Sequence, residues 1–293
     1  MNHIRFDTAA ELIAHLRAFP VGSSPRRPYQ WAFRGQADAT WKLIPSAIRP
    51  STRLGFFSDG KEFNSTGDGR SVLQMNAELG VVSQFAQMCD RIGLPVPGFH
   101  PIFRQSSHEI MMYGDASVGG IGYAEWPKPE MIELLAIAQH HGVPTRLLDF
   151  SYSPMVALFF AADDCIANRD QLRERSADEL AVWCVDTREL RTAPYEFGVI
   201  EVARATNPFL FAQRGLFILD RQIHSSTERT GNYCLARRIC QRLGESYVKK
   251  LTLRIEEVDT ALKLLELEQV DRVHLRPTYD NVSRFLSDYR SAT

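Results

Sequence analysis

The stretch MVALFFAA, residues 155–162, constrains the fold of this chain more than any other. On a helix it is apolar nearly all round, and such a helix is stable only when other elements cover it on every side. It belongs in the middle of a core. Ser153 and Pro154 supply an N-cap and a first-turn proline, and the preceding TRLLDF (145–150) reads as a brief buried strand. The same segment carries Gln139, His140, His141, Arg146 and Asp149 just upstream. Ionisable groups beside a core cost free energy unless they are paired or put to use, so this region is either a structural ion-pair knot or part of a site.

The rest of the chain alternates helical and strand patterns. Ala9, Leu12, Ile13 and Leu16 recur at helical spacing behind a capping pair, Thr8 with Glu11. After the breaker PVGSSPRRPYQ, the spacing predicts a strand at WAFRGQ (31–36), then an extended run punctuated by Pro45 and Pro50. Helices are expected over 71–92 and 129–140, the second with Met131, Leu134, Leu135 and Ala138 on one face and with Gly142 and Pro144 to stop it. Strands are expected at AVWCVD (181–186), FGVIEVA (197–203), GLFIL (215–219) and VKKLTLRI (248–255). A final helix sets Val282, Phe285, Leu286 and Tyr289 in a stripe. Residues 51–70 and 95–127 hold too much Gly, Pro and polar sequence for regular structure and are expected to be mobile loops. Without repeats or a clear linker, one α+β domain over residues 1–293 is the economical reading.

Composition removes several classes of function. The 34 Lys and Arg residues balance 35 Asp and Glu, a net charge of -1, so no global basic field advertises nucleic acid or an anionic membrane. Five cysteines, odd in number and without C-x-x-C spacing, favour neither a disulfide framework nor a zinc ribbon and fit a reducing cytoplasm. No apolar run approaches the roughly 20 residues that span a bilayer, so a membrane partner is not expected. The P-loop, dinucleotide-binding glycine, zincin and nucleophile-elbow motifs are all missing. His140 and His141 point about 100° apart on a helix, which suits capping better than joint metal ligation, and no metal is expected.

Four segments carry a resemblance. WAFRGQADATWKLIPSAIR (31–49), QHHGVPTRLLDFSYSPMVALFFAA (139–162), ATNPFLFAQRGLFIL (205–219, preceded by Arg204) and RVHLRPTYDNVSRFLSDY (272–289) resemble the FRG domain family, whose motif stands here as Phe33-Arg34-Gly35. A fainter resemblance links the chain to arginine-initiated ADP-ribosyltransferases. Arg34 fits their first strand, LLDFSYSPMVALFF their strand-to-helix element, and AQRGLFIL their third strand.

That second resemblance implies short mixed or antiparallel sheets split around a cleft and flanked by helices. It implies NAD as substrate and ADP-ribose transfer to a protein or nucleic-acid acceptor, with a toxin or defence role as one setting. Arg34 would grip the pyrophosphate with bidentate, charge-assisted bonds, with Gly35 allowing close ligand approach. Gln36, His140, Thr145, Arg146 and Ser151 would complete the cofactor site, together with the free amides at the start of the apolar helix. Asp149, Gln213 and His141 would do the chemistry. Gln213, followed by Arg214, stands where those transferases carry Glu, and Gln cannot act as a general base. Either Asp149 takes the acidic role, or a neutral acceptor suffices, or the pocket binds without reacting.

Plainer readings stand beside these. Arg34 can be structural, tying Asp149 to a carbonyl, and Arg146 can pair with an acid. Leu158, Phe159, Phe160, Trp31 and Trp41 read as packing. The alternative function is a non-catalytic nucleotide or nucleic-acid binding module, for which the basic pairs are Arg26-Arg27, Arg237-Arg238 and Lys249-Lys250.

Overall fold

The computed structural model describes residues 2–20, 29–49, 52, 54, 68–96, 127, 129–203, 208–221 and 233–292. In chain order the elements are β1 (Asn2–Phe6), α1 (Ala9–Arg17), β2 (Trp31–Gln36), α2 (Asp68–Arg91), α3 (Ile132–His140, entered through a 3-10 turn), β3 (Leu148–Ser151), α4 (Pro154–Ala167) and α5 (Arg169–Glu174). They continue with β4 (Glu179–Asp186), α6 (Thr187–Thr192), β5 (Phe197–Ile200), α7 (Pro208–Ala212), β6 (Gly215–Asp220), α8 (Leu235–Leu243), β7 (Val248–Arg254), α9 (Val258–Glu266), α10 (Arg272–Leu275) and α11 (Tyr279–Ala292).

The fold is α+β. Among the described residues, seven strands form one mixed sheet in the order β1-β7-β4-β2-β3-β6-β5, parallel between β1 and β7 and antiparallel elsewhere. The expectation of several short sheets thus becomes one sheet with a weak seam. β2 and β4 pair through six residues and β3 and β6 through four, whereas β2 and β3 meet at a single pair, Phe33 opposite Ser151. The two halves diverge at that point.

Helices cover both faces. β4 shows why its sequence is apolar without alternation: Leu180, Val182 and Cys184 face α1, α4 and α9, while Ala181, Trp183 and Val185 face the layer that includes α2, α3 and α8. Helix α4 sits where its composition demands, with Met155, Val156, Ala157, Leu158, Phe159, Ala161 and Ala162 all buried. Its seat on β2 depends on Gly35. A Cβ there would come within 2.0 Å of the Ala157 carbonyl oxygen and 2.8 Å of the Ala161 nitrogen. The glycine therefore admits a helix.

Local signals held where they were strong. Thr8 and Glu11 form the reciprocal capping box, and Ser153 Oγ accepts from the Val156 amide. β1 was not anticipated, because NHIRF is short with only Ile4 and Phe6 apolar, and it is held at the edge by β7. The final helix forms, but Val282, Phe285 and Leu286 are exposed. α2 begins at Asp68, inside the first expected loop. The remainder of the two loops, apart from a few positions, lies outside the described residues, as do Arg26, Arg27 and Arg204.

Candidate functional site

The seam in the sheet opens into a cleft of about 740 Å³. A ladder that continued past Phe33 and Ser151 would have closed this space with backbone hydrogen bonds. Arg34, one residue beyond the last pair, reaches across instead: its Nη1 donates to the Asp149 carbonyl oxygen at 2.7 Å and lies 3.6 Å from Asp149 Oδ2. The Arg34 side chain is 18% exposed, and its Nε is buried without a hydrogen-bond partner among the described residues. Asp149 is 51% exposed and faces the same cleft. The structural and the ligand-facing readings of Arg34 therefore coexist in one side chain.

Asp149 is aimed by a short relay. Gln139 Nε2 donates to Asp149 Oδ2 at 2.9 Å, while Gln139 Oε1 accepts from Thr145 Oγ1 at 2.8 Å and from Ser46 Oγ at 3.2 Å. Thr145 is fully buried and lies one step behind the cleft, so its part is to orient Gln139. Ser151 reaches the cleft wall, but its hydroxyl donates to the Gln213 carbonyl at 2.7 Å and accepts from the Ser153 amide at 2.9 Å. Gln213 also lines the cleft, with its side-chain amide donating to the Leu275 carbonyl at 3.1 Å.

Of the ten residues singled out from sequence, the structure gathers Arg34, Gly35, His140, Asp149, Ser151 and Gln213 on the cleft wall. Four stand elsewhere. Gln36 is buried and does not line the cleft, its Oε1 accepting from Trp183 Nε1 at 2.7 Å. Thr145 acts through Gln139. Arg146 is fully buried in an ion pair, with its Nε 2.6 Å from Glu78 Oε2. His141 caps α3, is exposed, and stacks toward Phe85 with ring centroids 6.4 Å apart.

His140 packs against Phe209, with ring centroids 5.3 Å apart. Burial, with His141 and Arg276 adding to it, holds its imidazole below the usual range, and Asp149 opposes the shift. The shift favours the neutral imidazole. An NMR titration of this ring is expected to give a midpoint below 6.5, rising toward that value in Arg276→Ala, where one opposing charge is gone.

Another part of the lining went unread in the sequence. It consists of Phe160, Asp163, Asp164 and Ala167 from α4, with Arg272, Arg276 and Asn281 from the C-terminal segment. Arg272 Nη2 binds Asp163 Oδ1 at 2.5 Å, and the Arg276 guanidinium lies over the Phe160 ring, 5.6 Å from its centre. Asp163 and Asp164 were hidden because they close an apolar run and read as an exposed helix end. Arg49, whose Nε donates to the Ile44 carbonyl, stands within electrostatic reach of Arg34 and Asp149. Among the described residues no three His, Cys, Asp or Glu side chains gather as metal ligands, and no helix is long and apolar enough to cross a membrane.

Of the four described residues of the basic pairs, Lys249, Lys250 and Arg238 contact the fold, while Arg237 is exposed. Lys249 Nζ lies about 5 Å from the Trp31 and Phe19 ring centres, Lys250 Nζ donates to the Ala39 carbonyl at 2.6 Å, and Arg238 pairs with Asp220 at 3.2 Å. Comparison with known proteins adds one finding. No curated protein and no solved structure matches the chain. A family model does match, over residues 104–170, taking in α3, β3, α4 and residues 104–127, which the sequence resemblance had left out. That model describes the FRG domain, and its match takes in the cleft residues Asp149, Asp163 and Asp164.

Proposed function

We propose that the cleft binds NAD and transfers its ADP-ribose to an acceptor. The observation that carries this reading is the convergence of Arg34 and Asp149 at the seam of the sheet, open to a cleft of ligand size. A guanidinium fixed by one bond to the Asp149 carbonyl keeps other N–H donors for a pyrophosphate. Phe160, Phe209 and His140 provide flat surfaces on which a base or a pyridine ring stacks.

Breaking the bond between nicotinamide and ribose builds positive charge on the sugar. Asp149, oriented by Gln139, provides a carboxylate to stabilise that charge and to hold a ribose hydroxyl. Gln213 contributes only position, since an amide takes up no proton at this pH. The acidic role that related transferases give to a third-strand Glu falls in this chain to the aspartates of the cleft.

Calorimetry with NAD tests the reading. The wild-type protein is expected to bind, and Arg34→Ala to weaken binding by about 10- to 100-fold, the loss of a charge-assisted contact. Asp149→Asn is expected to leave binding within a few-fold and to slow nicotinamide release. Absence of NAD binding by the wild-type protein would remove the proposal. The second reading, binding without transfer, is favoured by the engagement of the Gln213 amide with Leu275, and binding without nicotinamide release would select it.

A further inference from the structure

Three carboxylates face the cleft, and their surroundings differ. Asp149 is engaged by Arg34 and Gln139, and Asp163 by Arg272. Asp164 Oδ1 accepts from Asn168 Nδ2 at 2.6 Å, and its Oδ2 has no hydrogen bond among the described residues. Its place follows from the helix period. Ala157, Phe160, Asp164 and Ala167 recur at steps of three or four and make one cleft-lining stripe of α4, beside the Ala157–Ala161 edge that seats on Gly35. Asp164 therefore lines the cleft within electrostatic reach of Arg34.

Resting on the NAD reading above, we infer that Asp164 is the general base that activates the acceptor in ADP-ribose transfer. The acceptor oxygen forms the new bond to the ribosyl C1, the C1–N bond breaks with its electron pair going to the pyridine nitrogen, and the acceptor proton passes to Asp164. Positive charge on the pyridinium is discharged in the same step, so charge and atoms balance. Division of labour follows from the geometry: a carboxylate already bonded to Arg34 and Gln139 is suited to holding charge, and one with a free oxygen is suited to taking a proton. Burial, then Asp163, raise the Asp164 pKa, against the opposing effects of the Asn168 hydrogen bond and the Arg34 charge, which strengthens it as a base.

The test is nicotinamide release with water as acceptor, alongside calorimetric NAD affinity, on wild type, Asp164→Asn, Asp164→Ala and Asp163→Asn. Asp164→Asn is expected to bind NAD within about 3-fold of wild type and to turn over at least 100-fold more slowly, the usual contribution of a general base. The acid limb of the wild-type rate profile should lie above the ordinary carboxylate range and vanish in this variant. Added formate should restore part of the rate to Asp164→Ala and none to Asp163→Asn, a rescue that a structural role would not produce. Wild-type turnover by Asp164→Asn with intact NAD binding would overturn the inference and leave the NAD reading in place. Failure of wild type to bind NAD would overturn both.

Discussion

Gly35→Ala is expected to cost at least about 3 kcal/mol of stability and to lower the melting temperature by about 10 °C. The added Cβ would stand 2.0 Å from the Ala157 carbonyl oxygen and 2.9 Å from the Ala161 Cβ. Neither is the end of a flexible side chain that can swing away. Relief requires α4 to move off β2, and α4 is the helix that the core surrounds, so the displacement spreads to α1 and α9. Gly142→Ala is the control: its φ of +82° makes alanine unfavourable, but nothing lies within 4 Å of its Cβ position. It should cost only about 1 kcal/mol, the conformational penalty alone. Thermal and denaturant unfolding of the two variants check the contrast, and equal losses would show that the β2–α4 contact is looser than described.

Glu78→Ala is expected to destabilise by about 3–5 kcal/mol, because it strands the Arg146 guanidinium in a core where both partners have no exposed side-chain surface. Arg146→Ala should cost a similar amount for the mirror reason. The informative variant is the double replacement by apolar residues of similar size, Glu78→Leu with Arg146→Met. It removes both charges from the interior and is expected to be more stable than either single variant, a coupling that a double-mutant cycle measures directly. Since the pair lies outside the cleft, the double variant should also keep the NAD affinity of the wild type. A loss of binding there would move Arg146 back into the site.

Much of the architecture was legible because the relevant physics is local. The Thr8–Glu11 box, the Ser153–Pro154 start and the apolar circumference of α4 each depend on residues within a few positions of one another. β1 escaped notice for the converse reason. Its five residues carry only two apolar side chains, Ile4 and Phe6, and their strand partner β7 lies more than two hundred positions later. The site divides in the same way. Arg34, His140, Asp149, Ser151 and Gln213 stand in or beside short strands and turns whose polar residues conflict with an apolar pattern, and such a conflict is visible in sequence. Asp163, Asp164, Arg272 and Arg276 agree with their local patterns, an acidic helix end and a polar C-terminal segment, and so gave no warning.

Two arginines mark the boundary. Arg34 and Arg146 each stand beside apolar strand residues, and from sequence either could hold a phosphate or bury an ion pair. The pattern alone established that both would be carried to the interior, because strand and helix periods are set by neighbours two to four positions away. Only the tertiary structure decided that Arg146 would meet Glu78 from a helix 68 residues earlier, in a sealed core, while Arg34 would emerge where β2 and β3 part. Whether a buried guanidinium finds a carboxylate or an opening is a question of which distant segments arrive beside it, and no local period encodes that arrival.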